Sequence, residues 1–149
     1  MTTVIRTVQV FARVPLQKAF DYVADLTKHP EWSGGELKIE PLSAGPVAVG
    51  KQYNSKGQVA TQKNRPNQLK VVEYDPPRVF GFVAHDPDFG DVSHIFTFLE
   101  QNGGTLITRT ITLNLKPLIA FGFRFLIYPL IGSPANQKAF DKLKANLEA

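Results

Sequence analysis

The apolar positions of the chain follow two rhythms. From Val4 to Arg13 they alternate, with Val4, Val8, Val10 and Ala12 on one side, which predicts a half-buried strand ended by Pro15. The spacing then changes to three and four, and Leu16, Ala19, Phe20, Val23 and Leu26 form one helical stripe opened by Pro15. Thr27 to Gly35 has room for one further brief turn of helix before the glycines release the chain. From there to Leu115 nearly every apolar stretch reads as strand, over approximately 36–42, 50–60, 68–75, 78–85, 92–100 and 105–115. Turn residues at Pro46 to Gly50, Asn64 to Asn67, Asp75 to Pro77, Asp86 to Gly90 and Asn102 to Gly104 separate them. Such short connections imply antiparallel neighbours.

The last quarter of the chain has two halves. Pro134 to Ala149 sets Ala139, Phe140, Leu143 and Leu147 at helical spacing among charged residues, with Pro134 in the first turn and Ser133 placed to cap it. The preceding segment, 117–132, has no polar face, because Arg124 and the Tyr128 hydroxyl are its main polar groups. Left in water, about ten large apolar side chains would forfeit some ~15–30 kcal/mol, more than the net stability of a domain. A curved sheet is the expected cover. A membrane span fits poorly, since the run is short, carries a central Arg124 and is broken by Pro129. One strand, two short helices, six strands and a long helix give an α+β order over a single domain, 1–149.

Matching apolar faces sets a register for the last hairpins. A two-residue turn at Gly103-Gly104 opposes Phe98 to Arg109, Phe96 to Ile111 and His94 to Leu113. The same face carried back to the preceding strand selects Phe80, Phe82 and Ala84, so Phe82 lies near His94 and His85 points away. The inner face then holds Phe80, Phe82, His94, Phe96, Phe98, Arg109, Ile111 and Leu113.

Composition narrows the possibilities. There is no cysteine, which excludes a disulfide framework and a thiolate metal site. The start lacks a signal-peptide pattern, so a cytoplasmic protein is expected. The net charge of +4 is scattered, with no basic run interleaved with aromatics, so nucleic acid is not implied.

Several pieces, in order, resemble a known family: Ala19-Phe20-Asp21-Tyr22-Val23-Ala24-Asp25-Leu26 followed by His29-Pro30-Glu31-Trp32, then Gly50-Lys51-Gln52-Tyr53, Glu73 to Arg78, His94-Ile95-Phe96-Thr97-Phe98, Gly103-Gly104-Thr105, and Leu143, Leu147 and Glu148 at the end. This set resembles the polyketide cyclase/dehydrase and lipid-transport branch of the START-like (SRPBCC) superfamily, nearly end to end. The resemblance implies a helix-grip fold, in which a seven-stranded antiparallel sheet curls around a long C-terminal helix and two small helices close one end. It also implies a cavity for an apolar molecule between sheet and helix.

Within that frame the expected ligand contacts are Trp32, Tyr53, Phe82, His94, Phe96, Arg109, Phe121, Phe125 and Tyr128. His94 is either a core histidine bonded to a neighbour, a ligand contact or a proton-transfer group, and no carboxylate is evidently placed to orient it. Arg109 on an inner face must meet a carboxylate, solvent at a cavity mouth, or an anionic or oxygen-rich ligand. The carboxylates Asp86, Asp88 and Asp91 beside His85 miss calcium-loop spacing and read as a polar turn, so no metal is assigned. No catalytic residue and no cofactor is assigned either, because no nucleophile elbow, phosphate loop or dinucleotide fingerprint is present. The leading expectation is a non-catalytic carrier or sensor of a small hydrophobic molecule. Its rivals are a cyclase- or dehydrase-type enzyme using the same cavity, and an interaction module using 117–132 for homodimerisation or, less favoured, docking on a membrane surface.

Overall fold

A computed structural model describes residues 1–34, 37–59, 62–87 and 90–149. Among them, seven strands form one antiparallel sheet in the order β1-β7-β6-β5-β4-β3-β2. The strands are β1 (Thr2–Ala12), β2 (Leu37–Pro41), β3 (Gln52–Val59), β4 (Gln62–Asp75), β5 (Val79–Asp86), β6 (Gly90–Gln101) and β7 (Gly104–Leu115). Helix α1 (Leu16–Ala24) and a 3₁₀ helix (Leu26–Glu31) separate β1 from β2. After β7 come α2 (Pro117–Gly122), a π-helical segment (Phe123–Gly132) and α3 (Ser133–Glu148). This is the expected helix-grip arrangement.

Three local differences have identifiable causes. Helix α1 stops before Leu26, because Asp25 is extended and its carboxylate accepts the Thr27 N–H at 3.1 Å, opening the 3₁₀ helix. Strand β4 absorbs the Asn64 to Asn67 stretch that reads as a turn. Its pairing with β5 begins only at Gln68, so Pro66 pairs with β3 alone and its missing N–H leaves no gap in a central ladder. The β6–β7 turn is Asn102-Gly103, with φ of 50° and 77°, so that Gln101 opposes Gly104. The register therefore moves by two: Phe96 opposes Arg109, His94 opposes Ile111 and Phe98 opposes Ile107. A slip of two keeps every side chain on its face, and Phe82 does oppose His94.

Gly104 cannot serve in that turn, because it is buried in the ladder. A Cβ there would lie 2.6 Å from the Ala12 carbonyl oxygen and 2.6 Å from Phe11 Cζ. Gly104→Ala is expected to destabilise the protein by about 1–3 kcal/mol through overpacking against backbone. Chemical denaturation checks this; an unchanged midpoint contradicts it.

Among the described residues, the concave side of the sheet is closely packed with side chains. Phe80, Phe82, Phe96 and Phe98 meet Phe20 of α1, Trp32, and Phe140, Leu143 and Leu147 of α3. Trp32 stands edge-on to Phe96 and Phe140 at 6.1 and 6.0 Å. Fixed contacts hold α3 in the cup: Glu148 accepts the Arg13 N–H at 2.8 Å, and Lys144 donates to the Phe11 carbonyl at 2.6 Å.

Because α3 occupies the cup, the apolar 117–132 segment is not covered by the sheet, contrary to expectation. It caps the β1–β7 side, where Ala120 is buried against Val4 and Leu115. Its outer side chains face solvent: Leu118 is 84% exposed, Leu130 73%, and Phe121 and Phe125 62% each. The segment continues into α3 across a bend of 50°. Ser133 consequently caps nothing; it is itself helical, and its N–H donates to the Tyr128 carbonyl in the wide π turn. Pro129 and Pro134 bring no N–H, which suits such a widened stretch.

Candidate functional site

Arg109 is the centre of the candidate site. Alternation along β7 turns Ile107, Arg109, Ile111 and Leu113 inward, and the observed register sets Arg109 diagonally beside His94. Its Nη2 and Nε lie 2.8 and 3.3 Å from His94 Nδ1. Its Nη1 donates to Asn136 Oδ1 at 3.3 Å, and Asn136 Nδ2 donates to the Tyr128 hydroxyl at 3.3 Å. The guanidinium lies 5.5 Å from the centre of the Phe96 ring. None of the ion pairs among the described residues includes it. Burial brings its pKa down from the ordinary guanidinium value to about 10, so at neutral pH it is a partly desolvated cation without a carboxylate.

The guanidinium has only donors, so His94 Nδ1 must accept and the ring proton sits on Nε2. The His94 ring stacks on Phe82 at 4.7 Å. Its pKa is held well below the ordinary value, first by burial and then by the charge of Arg109. The group that orients it is thus a cation, not a carboxylate.

A second inward histidine, more deeply buried than the half-buried His94, escaped the sequence reading, which placed only His94 inside. His29 is 6% exposed and meets Trp32 at 4.3 Å, edge to face. Burial, then Arg109, lowers its pKa to about 3. Its signal was available: Leu26, His29 and Trp32 recur every third residue, the period of a 3₁₀ helix, so they share one face. His29 Nδ1, Trp32 Nε1 and Ser33 Oγ are all buried without a hydrogen-bond partner.

Beside Arg109 opens a cleft of about 280 Å³. Ile111 and Leu113 of β7, Phe123 of the π-helical segment, and Ala135 and Ala139 of α3 form its apolar walls. Its polar groups are Arg6, Ser33, Arg109, Tyr128 and Asn136. Arg6 lies 5.3 Å from the centre of the Tyr128 ring. That ring packs so closely on Gly132 that a Cβ there would lie 2.7 Å from it. Apolar walls around a few converging donors suit an apolar molecule bearing an anionic or carbonyl oxygen.

The expected ligand contacts separate in the structure. Arg109 and Tyr128 line the cleft. His94 and Phe96 support the guanidinium, Phe82 supports His94, and Trp32 packs on Phe96. Tyr53 belongs to a different surface depression with Asp21, Asp25 and Lys51. Phe121 and Phe125 meet as a tilted pair at 4.9 Å outside the cleft. Sequence reasoning missed Arg6, Ser33 and Asn136. In the polar hairpin, His85 and Asp91 pair at 2.7 Å on the surface, while Asp88 lies outside the described residues. Among the described residues no cluster of His, Asp and Glu is arranged to hold a metal.

The sequence matches, over residues 1–148, the family described as polyketide cyclase / dehydrase and lipid transport. No curated protein sequence matches it. Among solved structures, the chain is similar to the di-domain ARO/CYC BexL from the BE-7585A biosynthetic pathway, with TM-score 0.76 and 14% identity over 99% of this chain and 50% of that one. It is similar to Ara h 8.0201, with TM-score 0.68 and 15% identity over 98% of each chain. A protein of unknown function from Staphylococcus aureus matches with TM-score 0.75 and 13% identity, covering 99% of this chain and 94% of that one.

Proposed function

The chain belongs to the polyketide cyclase / dehydrase and lipid transport family, and on that premise we propose that it binds a small hydrophobic molecule through an oxygen-bearing head group at Arg109. The observation that carries this reading is a desolvated guanidinium with no carboxylate partner, set at an apolar cleft. A half-buried charge with no carboxylate beside it is costly, and an anionic or carbonyl oxygen from a ligand completes its hydrogen bonding. The Tyr128 hydroxyl, at the far end of the same Arg109–Asn136 chain of hydrogen bonds, supplies a further polar contact.

The volume of about 280 Å³ is at the lower end of small-molecule sites, which run to about 300–1,000 Å³. The ligand is therefore compact, or leaves its tail at the mouth beside the π-helical segment. A non-catalytic carrier or sensor needs nothing more. Proton abstraction by His94 is disfavoured, because Nδ1 already accepts from Arg109 and Nε2 carries the proton.

Native mass spectrometry of freshly purified protein tests the proposal. The expected result is a non-covalent mass increment that disappears on denaturation, or stoichiometric uptake by stripped protein from a panel of fatty acids, sterols and polyphenols. Failure to take up any member of the panel rejects it.

A further inference from the structure

We propose that the outer face of α2 and the π-helical segment docks on an anionic lipid bilayer. This goes beyond binding in the cleft and does not depend on it. Leu118, Phe121, Phe125, Leu126 and Leu130 are each 60–84% exposed along one continuous helical run. Such a contiguous apolar surface calls for an occupant.

The charges around it indicate which one. Between Glu100 and Asp141 the chain contains no carboxylate side chain, but it contains Lys116, Arg124 and Lys138 in and beside the apolar run. The adjoining strand β1 adds Arg6, and no acidic residue precedes Asp21. Arg124 Nη2 donates to the Thr3 carbonyl at 2.9 Å, tying this cation to β1 beneath the ridge. Two copies meeting through this face would bring cation against cation. An anionic bilayer instead accepts the apolar side chains and neutralises the flanking charge together.

The geometry is that of a helix lying on a surface. No single helix among the described residues is long and apolar enough to cross a membrane. The run bends by 50° into α3, which buries Phe140 and Leu143 in the core and cannot be withdrawn into lipid without unfolding it. Phe123 and Tyr128, on the inner side of the same segment, line the cleft, so docking sets the cleft mouth close to lipid.

Flotation with phosphatidylcholine vesicles, with and without phosphatidylserine, tests the proposal on the full chain. The wild type is expected to partition at least about tenfold more onto the phosphatidylserine vesicles, and to be released by salt, since each basic residue near such a surface contributes about 1 kcal/mol. Leu118→Gln with Phe125→Gln removes apolar contact without adding charge and is expected to abolish partitioning. Lys116→Gln with Lys138→Gln is expected to remove the preference for phosphatidylserine. Both pairs are exposed, and circular dichroism confirms folding. No partitioning onto either vesicle overturns the proposal, as does equal partitioning onto both. So does sedimentation showing a lipid-free dimer that Phe125→Gln dissociates, which makes the ridge an interface between copies.

Discussion

Arg109→Met is expected to weaken binding of a carboxylate-bearing ligand about a hundredfold or more while leaving the protein folded. Truncating one member of a desolvated charge pair costs about 2–5 kcal/mol, and each factor of ten in affinity is about 1.4 kcal/mol. The same ligand as its methyl ester has no charge to lose, so its affinity is expected to fall less than about tenfold. Stability moves little, because two effects oppose each other. Removing a guanidinium whose pKa burial has pulled down to about 10 relieves a desolvation cost. Removing its donors leaves His94 Nδ1 and Asn136 Oδ1 short of a partner, at about 1–3 kcal/mol each. Calorimetric titration of acid and ester into both proteins checks the effect. Equal losses for the two ligands would show that the residue contributes shape rather than charge.

Acid is expected to unfold the protein cooperatively at about pH 4–5, driven by the two interior histidines rather than by surface carboxylates. His29 ionises at 6.5 when unfolded but at about 3 in the native state, because burial and then Arg109 penalise its charged form. Between those values the unfolded chain binds a proton that the folded chain refuses. Stability therefore falls as pH drops through this window, by at most about 1.4 kcal/mol per pH unit for His29. His94 acts in the same direction. For His29 alone the loss over two units is about 3 kcal/mol, a large share of the ~5–15 kcal/mol stability of a typical domain. Tracking the fluorescence of Trp32, the sole tryptophan, against pH measures the midpoint. His29→Phe, which keeps an aromatic ring beside Trp32, is expected to move it down, and Arg109→Met to move it the same way by removing the second cause of both shifts. A midpoint indifferent to both substitutions contradicts this assignment.

What the sequence made legible is what alternation encodes. Phe82 opposite His94, and the inward set on β5 to β7, follow from a period of two that survives a register slip of two. The slip itself arose because the two glycines looked like the turn. Asn102 tolerates a positive φ, whereas Gly104 is needed bare against Phe11 and Ala12. The 3₁₀ period that buries His29 differs from the helical spacing sought there, so that residue stayed hidden.

Hydrophobicity showed that 117–132 needs a partner but could not show which element takes the cup. Phe140, Leu143 and Leu147 of α3 fill it, and Phe121 and Phe125 are left outside. Interior volume is a property of summed side chains, so the filling of the cup by Phe80, Phe82, Phe96 and Trp32 is invisible in any one of them. The cleft arises where that filling ends, at the β1–β7 side. Asn136 reaches it from α3 and Arg6 from β1, 130 positions apart in sequence by their numbering.

The most direct measurement follows the guanidinium itself. A titration of isotopically labelled protein with a carboxylate ligand, read at the Arg109 Nε–H resonance, is predicted to show a saturable shift at one-to-one stoichiometry, with the Tyr53 and Lys51 amides unmoved. An Arg109 signal that stays fixed while the ligand binds elsewhere would contradict the account.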